Sequence, residues 1–173
     1  MAIDRAFEPA LMKAIRSLEI GAYGLSPRHV SRLSDVQLED RIARPNDERL
    51  FAIAEAFRRG MMVEEVRALS NVDIWFLHKV LNLVTMETRL KVSGRAIAEL
   101  ADTLDADSDA ADLLRRAKRM GFADRQIADY AGIPEHFIRA IRRAFHIVPT
   151  YKIVDTCAAE FKAATPYFYS CYD

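Results

Sequence analysis

The chain has 173 residues, of which 51% are hydrophobic, and its 25 basic and 25 acidic side chains give a formal net charge of zero. This composition excludes a disordered chain, and the balanced charge gives no general attraction toward a polyanion such as DNA. No apolar run reaches the ~18 residues of a membrane span, and the N-terminus lacks the layout of a signal peptide, so we expect a cytoplasmic protein.

Helical periodicity dominates the first half of the chain. Apolar residues recur every three or four positions in five segments, which we predict to be helices: residues 7–20, 34–43, 47–59, 63–69 and 73–91. The last segment is apolar around most of its circumference, which is typical of a helix surrounded by others. Between the first two helices, Gly24 and Pro27 interrupt the pattern and predict an irregular connection.

The second half continues with helices and ends differently. We predict a weak helix over residues 93–104, because Gly94 and a following acidic run oppose it, and three clearer helices over residues 110–120, 124–130 and 134–145. From residue 147 onward, β-forming residues surround Pro149 and predict an extended strap over 147–173. Within the strap, Thr156 could start a brief helix.

An internal repeat organises the predicted helices. A shift of 61 residues places Gly60 on Gly121 and aligns the apolar positions on both sides of these glycines. We therefore predict an all-α fold, an irregular bundle of about eight helices in two related helix-turn-helix lobes, residues 47–91 and 108–146. Both belong to a single domain, residues 1–173. A chance match between two helical patterns is the alternative explanation.

The second copy also has the layout of a helix-turn-helix DNA-binding module. In that hypothesis the helix over residues 134–145 would enter the major groove, and Arg139, Arg142 and Arg143 would face the DNA. The corresponding helix of the first copy is too apolar for this role, and the chain has no excess of basic residues. Arginines on a solvated helix face are the simpler interpretation, so DNA binding is the alternative function.

The sequence predicts no catalytic, cofactor-binding or metal-binding residue. Its four histidines are far apart, and its two cysteines lack the paired spacing of a zinc site. No glycine-rich phosphate loop or nucleophile elbow occurs. Cys157 follows a potential helix start and is the one candidate nucleophile for an enzyme, although a small buried hydrophobic role is more common for cysteine. Glu87 is interpreted as a helix-surface charge.

Large apolar side chains at the two ends of the chain are the candidate interface residues. One set lies on a single face of the first predicted helix, and the other forms an aromatic tail that is too large to be left in water. These residues are Phe7, Leu11, Ile15, Leu18, Tyr167, Phe168, Tyr169 and Tyr172.

Four sequence blocks carry a resemblance to a known family. They are FEPALMKAIRSLEIG at residues 7–21, NVDIWFLHKV at 71–80, AKRMGFADRQIA at 117–128 and PTYKIVDTCAAEFKAATPYFYSCYD at 149–173. In this order they resemble the oligomerisation domain of the carbamoyl-phosphate synthase large chain. The blocks span nearly the whole chain, whereas residues 22–45 and 91–111 diverge from the family pattern.

The resemblance implies that the chain is a fragment of a larger ligase. In that family the helical domain lies between two ATP-grasp synthetase halves, and the parent enzyme makes carbamoyl phosphate for arginine and pyrimidine synthesis. Its nitrogen is glutamine-derived ammonia from a glutaminase small subunit, and it consumes bicarbonate and two ATP. ATP and its magnesium or manganese bind the flanking halves, so no such residue is carried over to this chain.

The partners implied are the flanking synthetase domains, the glutaminase subunit and a second copy, with no nucleic acid and no membrane. We expect the aromatic tail to pack against a synthetase half. We expect self-association through residues 7–45, because long irregular stretches in helical domains often carry interactions.

Overall fold

The computed structural model describes residues 2–154, 160 and 167–173. In this part of the chain, nine α-helices are followed by two short strands, which confirms a mostly helical fold with an extended C-terminal strap. The helices are α1 Phe7–Ser17, α2 Asp35–Ala43, α3 Arg49–Arg58, α4 Val63–Ser70, α5 Ile74–Val92, α6 Gly94–Thr103, α7 Asp109–Arg119, α8 Asp124–Ala131 and α9 Glu135–Ala144. The strands are β1 Thr150–Val154 and β2 Tyr167–Cys171. The brief helix predicted after Thr156 lies outside the described residues.

Side-chain caps fix several helix starts where the sequence predicts them. Asp73 accepts a hydrogen bond from the Trp75 N–H at 2.8 Å, and the Ser108 hydroxyl accepts one from the Ala111 N–H at 3.3 Å. The first helix is shorter than predicted. It ends at Ser17, and Glu19 already adopts a left-handed φ of 55°.

Helix α5 is the central element, as its apolar circumference predicts. It contacts α1, α3, α4, α6, α7 and α8, and it contributes Leu77, Leu83 and Leu90 to an apolar core shared by both halves of the chain. His78 on the same helix is exposed. No helix in the described ranges is long and apolar enough to cross a membrane.

The repeat is visible in the backbone. The shift of 61 residues superposes the bounds of α4 on those of α8. Gly60 and Gly121 share a φ of 87°, and the helix-ending residues Asn71 and Gly132 both have left-handed φ values, 54° and 68°. Because one core joins both halves, the division into two separate lobes stays a prediction.

Helix α6 is regular, although the sequence predicts only a weak helix there. Its first residue, Gly94, has no room for a side chain, because a Cβ would lie 2.3 Å from the Tyr130 carbonyl oxygen. This glycine therefore permits a close approach between α6 and α8. Ile97 and Leu100 are then buried against the core.

The strands form a two-stranded antiparallel sheet, which we call the ribbon. Tyr151 lies opposite Ser170, and Ile153 lies opposite Phe168. Directly opposite residues share a face, so Tyr151, Ile153 and Phe168 form one apolar side of the ribbon. Cys171 belongs to the other side and is buried.

Candidate functional site

No group of three His, Cys, Asp or Glu side chains within residues 2–154, 160 and 167–173 is placed to hold a metal ion. Cys157, the candidate nucleophile, lies outside the described residues.

The predicted interface stripe on α1 splits into three parts. Phe7 and Leu11 are half-buried, Ile15 is only 2% exposed and belongs to the core, and Leu18 is 60% exposed. Ile15 is therefore unable to contact a partner in this conformation. The stripe follows helical spacing throughout, but only its two ends reach the surface.

The first exposed surface is an aromatic cluster formed by Phe7, Trp75 and Phe76. Ring centroids lie 5.4 Å apart for Phe7 and Trp75, 5.3 Å for Phe7 and Phe76, and 4.9 Å for Trp75 and Phe76. The Lys79 ammonium lies 5.2 Å from the Trp75 ring and forms an ion pair with Glu8 at 3.1 Å. Trp75 remains 50% exposed, so much of this surface faces solvent.

A second exposed surface, the α1 edge, consists of Leu18, Ile20 and Tyr23. Beside it lies a groove of about 500 Å³ between residues 20–29 and α8. The Gln126 side chain lines this groove, and its buried Oε1 accepts no hydrogen bond from the described residues. A buried acceptor without a donor is costly, so a water molecule or a donor from a partner that reached this oxygen would be stabilising.

The third exposed surface is the apolar side of the ribbon. Tyr151 is 73% exposed, and Ile153 and Phe168 are similarly open. Among the predicted tail residues, Tyr167 and Phe168 face solvent, whereas Tyr169 and Tyr172 are half-buried against the helices. Phe168 belongs to the apolar side of the ribbon, whereas Tyr167 is on the side of Tyr169 and Cys171 and is exposed near the end of β1.

An ion cluster made of Lys118, Asp124 and Arg142 lies between α7, α8 and α9. The Lys118 ammonium is 2.7 Å from Asp124 Oδ1, and the Arg142 guanidinium donates to both carboxylate oxygens at 2.6 to 2.9 Å. Lys118 also donates to the Phe122 carbonyl oxygen, and Arg142 donates to that of Ile147. All three side chains are nearly buried.

Burial and pairing act in opposite directions on the pKa values in the cluster. Burial alone would raise the pKa of Asp124, but the hydrogen bond from Arg142 and the charge of Lys118 hold it below its usual value. Burial lowers the pKa of Lys118, and Asp124 offsets this only in part. The carboxylate is thus the anchor on which both cations depend.

The position of Arg142 corrects the sequence-based interpretation. This residue is neither on a solvated face nor available to DNA, because its guanidinium is buried on Asp124. Arg139 lies 3.7 Å from Glu135 on the surface, and Arg143 is exposed. Since one of its three predicted contacts is lost, the DNA-binding hypothesis is weakened.

Glu87 is also corrected. It is 3% exposed rather than a surface charge, and its carboxylate lies 2.8 Å from the Arg58 guanidinium. Burial alone would raise the pKa of Glu87, but Arg58 and Lys91 lower it overall. The pair joins α3 to α5 inside the first repeat.

The ion cluster is not evident from local sequence patterns, although the repeat contains a signal for it. The shift of 61 residues places Lys118, Asp124 and Arg142 on Phe57, Val63 and Leu81. Phe57 and Val63 are buried, and Leu81 is partly buried. Charged residues at positions that are apolar in the other copy indicate buried pairing rather than solvated faces.

A family model and similar known proteins all point to the same family. The sequence model of the carbamoyl-phosphate synthetase large chain, oligomerisation domain, matches residues 1–146. A carbamoyl phosphate synthase large chain from Thermoanaerobacter sp. (strain X514) is 45% identical over 172 residues, which cover 99% of this chain and 15% of that protein.

Two further relatives are named as sections of the large chain. The N-terminal section from Methanopyrus kandleri is 46% identical over 175 residues, covering all of this chain and 31% of that protein. The N-terminal section from Aquifex aeolicus is 44% identical over 173 residues, covering all of this chain and 28% of that protein. The chain thus spans less than a third of each of these relatives. From the match to the family and the extent of these similarities, we conclude that the chain belongs to the family of carbamoyl-phosphate synthetase large chain oligomerisation domains.

Proposed function

We propose that the chain is a non-catalytic domain of a carbamoyl phosphate synthase large chain that self-associates and connects the parts of the enzyme on either side. The alignment of the whole chain within much longer relatives supports this role. In this proposal ATP, magnesium or manganese, and the glutaminase subunit act elsewhere in the parent enzyme. That enzyme makes carbamoyl phosphate for arginine and pyrimidine synthesis.

The observation that carries the proposal is the presence of three separate exposed apolar surfaces on a well-packed helical body. The aromatic cluster, the α1 edge and the outer side of the ribbon all leave large side chains in water. Contiguous apolar surface on a soluble protein is typical of interaction sites, because burying it against a partner is favourable. A domain with several such surfaces is suited to contact several neighbours.

We assign self-association to the α1 edge. Leu18 and Ile20 are both well exposed, and Ile20 lines the groove that also contains the Gln126 side chain. A second copy covering this edge would bury the two aliphatic side chains and could supply the missing donor. This surface lies within the first 45 residues, the part of the chain that we expect to self-associate.

We assign contacts with the neighbouring synthetase sections to the ribbon and the aromatic cluster. The outer side of the ribbon carries Tyr151, Ile153 and Phe168 with no described side chain covering them. The aromatic cluster joins the start of α1 to the start of α5, so a section that packs on it would contact the central helix. Both surfaces leave large aromatic side chains exposed, and burial of these against a partner would be favourable.

Sedimentation equilibrium of the 173-residue chain tests the self-association surface. We expect the mean mass to rise with concentration for the unmodified chain. The double substitution Leu18→Asp and Ile20→Asp should keep it monomeric, because each buried aliphatic side chain contributes about 1.5–3 kcal/mol. This corresponds to a weakening of at least ~100-fold.

The substitution Val92→Asp is the matched control, since Val92 is an exposed aliphatic residue at the end of α5. It should leave the mass unchanged. An unmodified chain that stays monomeric, or a double variant with unchanged association, would reject the assignment.

A further inference from the structure

The two repeats fill equivalent interior positions with opposite chemistry. In the first repeat these positions are apolar, and in the second they hold the ion cluster of Lys118, Asp124 and Arg142. Burying three charges requires desolvation that hydrocarbon side chains avoid, and an apolar set of similar volume often packs as well or better. The apolar set in the first repeat demonstrates that the backbone accepts it. Packing alone therefore does not account for the charges.

The ion cluster contacts the ring of Tyr172, and apolar side chains at the same positions would attract this ring less strongly. The ring of Tyr172 has its centroid 5.1 Å from the Lys118 ammonium and 5.7 Å from the Arg142 guanidinium carbon. An aromatic ring attracts cations to its face, and the attraction grows when the cation is desolvated. Asp124 holds both cations in place, so the two charges are already positioned before the ring binds.

Other contacts also hold the ribbon on the rest of the chain: Cys171 is buried, and the Lys13 ammonium lies 5.8 Å from the centroid of the Tyr169 ring. Lys13 on α1 donates to the Ser170 carbonyl oxygen and forms an ion pair with Asp4. Asp173 lies 2.8 Å from Arg5. Hydrogen bonds from Lys152, Arg5 and Thr150 lower the pKa of Asp173 to about 2. The apolar side of the ribbon faces away from the helices.

We propose that the ion cluster of the second repeat is a receptor for the Tyr172 ring and that this contact fixes the ribbon on the helical body. Tyr172 acts as a positioning residue. It follows β2 directly, so its capture by α7 and α9 sets the direction in which the ribbon presents Tyr151 and Phe168. This consequence rests on the proposed function, since it matters most if another section packs on the ribbon.

The first repeat explains why such a receptor is specific. Its apolar set offers no positive charge, so an aromatic ring would gain only contact area there. The cluster adds an electrostatic preference for a π face and a fixed location for it.

Amide hydrogen exchange of the 173-residue chain, followed by mass spectrometry, tests the proposal. In the unmodified chain we expect protection of the amides in β1 and β2. In Tyr172→Leu these amides should exchange at least ~10-fold faster, while α7, α8 and α9 keep their protection. Tyr172→Phe retains a π face and should keep the ribbon protected.

Tyr151→Leu is the matched control, because it removes an aromatic ring from the solvent side of the same ribbon. It should change exchange in β1 and β2 far less than Tyr172→Leu does. The proposal would be overturned if the amides of β1 and β2 were unprotected in the unmodified chain, or if they exchanged at the same rate in Tyr172→Leu as in the unmodified chain. It would also be overturned if Tyr172→Phe lost as much protection in the ribbon as Tyr172→Leu, or if Tyr172→Leu lost protection throughout the helices. None of these results bears on self-association, which the sedimentation experiment measures separately.

Discussion

The two repeats of the helical body share a backbone pattern and differ in what their interiors can bind. Helices α4 and α8 have equivalent bounds, and Gly60 and Gly121 have the same φ. At three equivalent interior positions, however, the first repeat is apolar and the second is charged. The shared backbone pattern therefore depends on caps, glycines and apolar periodicity. The interior side chains are then free to specialise.

The specialised repeat is the one that touches the end of the chain. The ion cluster contacts Tyr172, and Arg142 also donates to the Ile147 carbonyl oxygen just before the ribbon. In the first repeat, the buried pair of Arg58 and Glu87 instead joins two helices of the body. The charged side chains of the first repeat therefore join helices to each other, whereas those of the second repeat also connect the helices to the ribbon.

The largest loss of stability is expected when one charged residue of the second repeat is replaced by the apolar residue at the equivalent position of the first. Asp124→Val leaves Lys118 and Arg142 buried without their shared carboxylate, and we expect a loss of about 3–5 kcal/mol in the free energy of unfolding. Urea unfolding followed by far-UV circular dichroism measures this loss.

The triple substitution Lys118→Phe, Asp124→Val and Arg142→Leu is the control for that experiment. It installs the full apolar set of the first repeat, so it should recover most of the lost stability. A triple variant as unstable as Asp124→Val would contradict the equivalence of the two interiors.

A smaller loss of stability is expected from substitutions at the left-handed residues that end the equivalent helices of the two repeats. Gly132 and Asn71 occupy equivalent left-handed positions, and no atom lies within 4 Å of a Cβ built on Gly132. Gly132→Ala should therefore lose about 1 kcal/mol through backbone strain alone. Gly132→Asn, which copies the first repeat, should lose clearly less, because asparagine tolerates this conformation.

The same urea titrations measure both variants, with Gly60→Ala, another unobstructed left-handed position, as a reference for the alanine penalty. Equal losses for alanine and asparagine at Gly132 would show that the two caps are not equivalent.

Much of the fold can be predicted from the sequence because its signals are local. The broad apolar circumference of residues 73–91 predicts the central helix, and the glycine at residue 121 predicts where α7 ends. Ser108 and Asp73 cap helices because their side chains reach free amides of the first turn. Such signals act over a few residues and do not depend on the rest of the fold.

The remainder depends on contacts between distant residues. The strap is predicted to be extended, but the pairing of Ile153 with Phe168 depends on a register that composition does not specify. Local sequence predicts that Gly94 weakens a helix. In the structure it is needed for packing, because a side chain there would collide with the Tyr130 carbonyl oxygen. Local sequence predicts Arg142 to be a surface charge, whereas the fold buries its guanidinium against Asp124.

The exposure of the candidate interface residues is predicted only in part. Chain composition identifies the large apolar side chains at both ends, and Leu18 and Phe168 do reach the surface. Helical spacing alone does not separate Ile15, which is buried, from Leu18 on the same stripe. The participation of Trp75 and Phe76 depends on α1 packing beside α5, which no local signal specifies.

Hydroxyl-radical footprinting provides the most direct test of the central claim that the exposed apolar surfaces are interfaces in the parent enzyme. The labelling of Trp75, Phe76, Tyr151 and Phe168 would be compared between the 173-residue chain and a complete large chain that contains it. Met12 is buried in the helical body and serves as the internal reference. We expect these four side chains to be labelled strongly in the 173-residue chain and several-fold less in the complete large chain, with Met12 unchanged. Equal labelling of the four side chains in both proteins would contradict the claim.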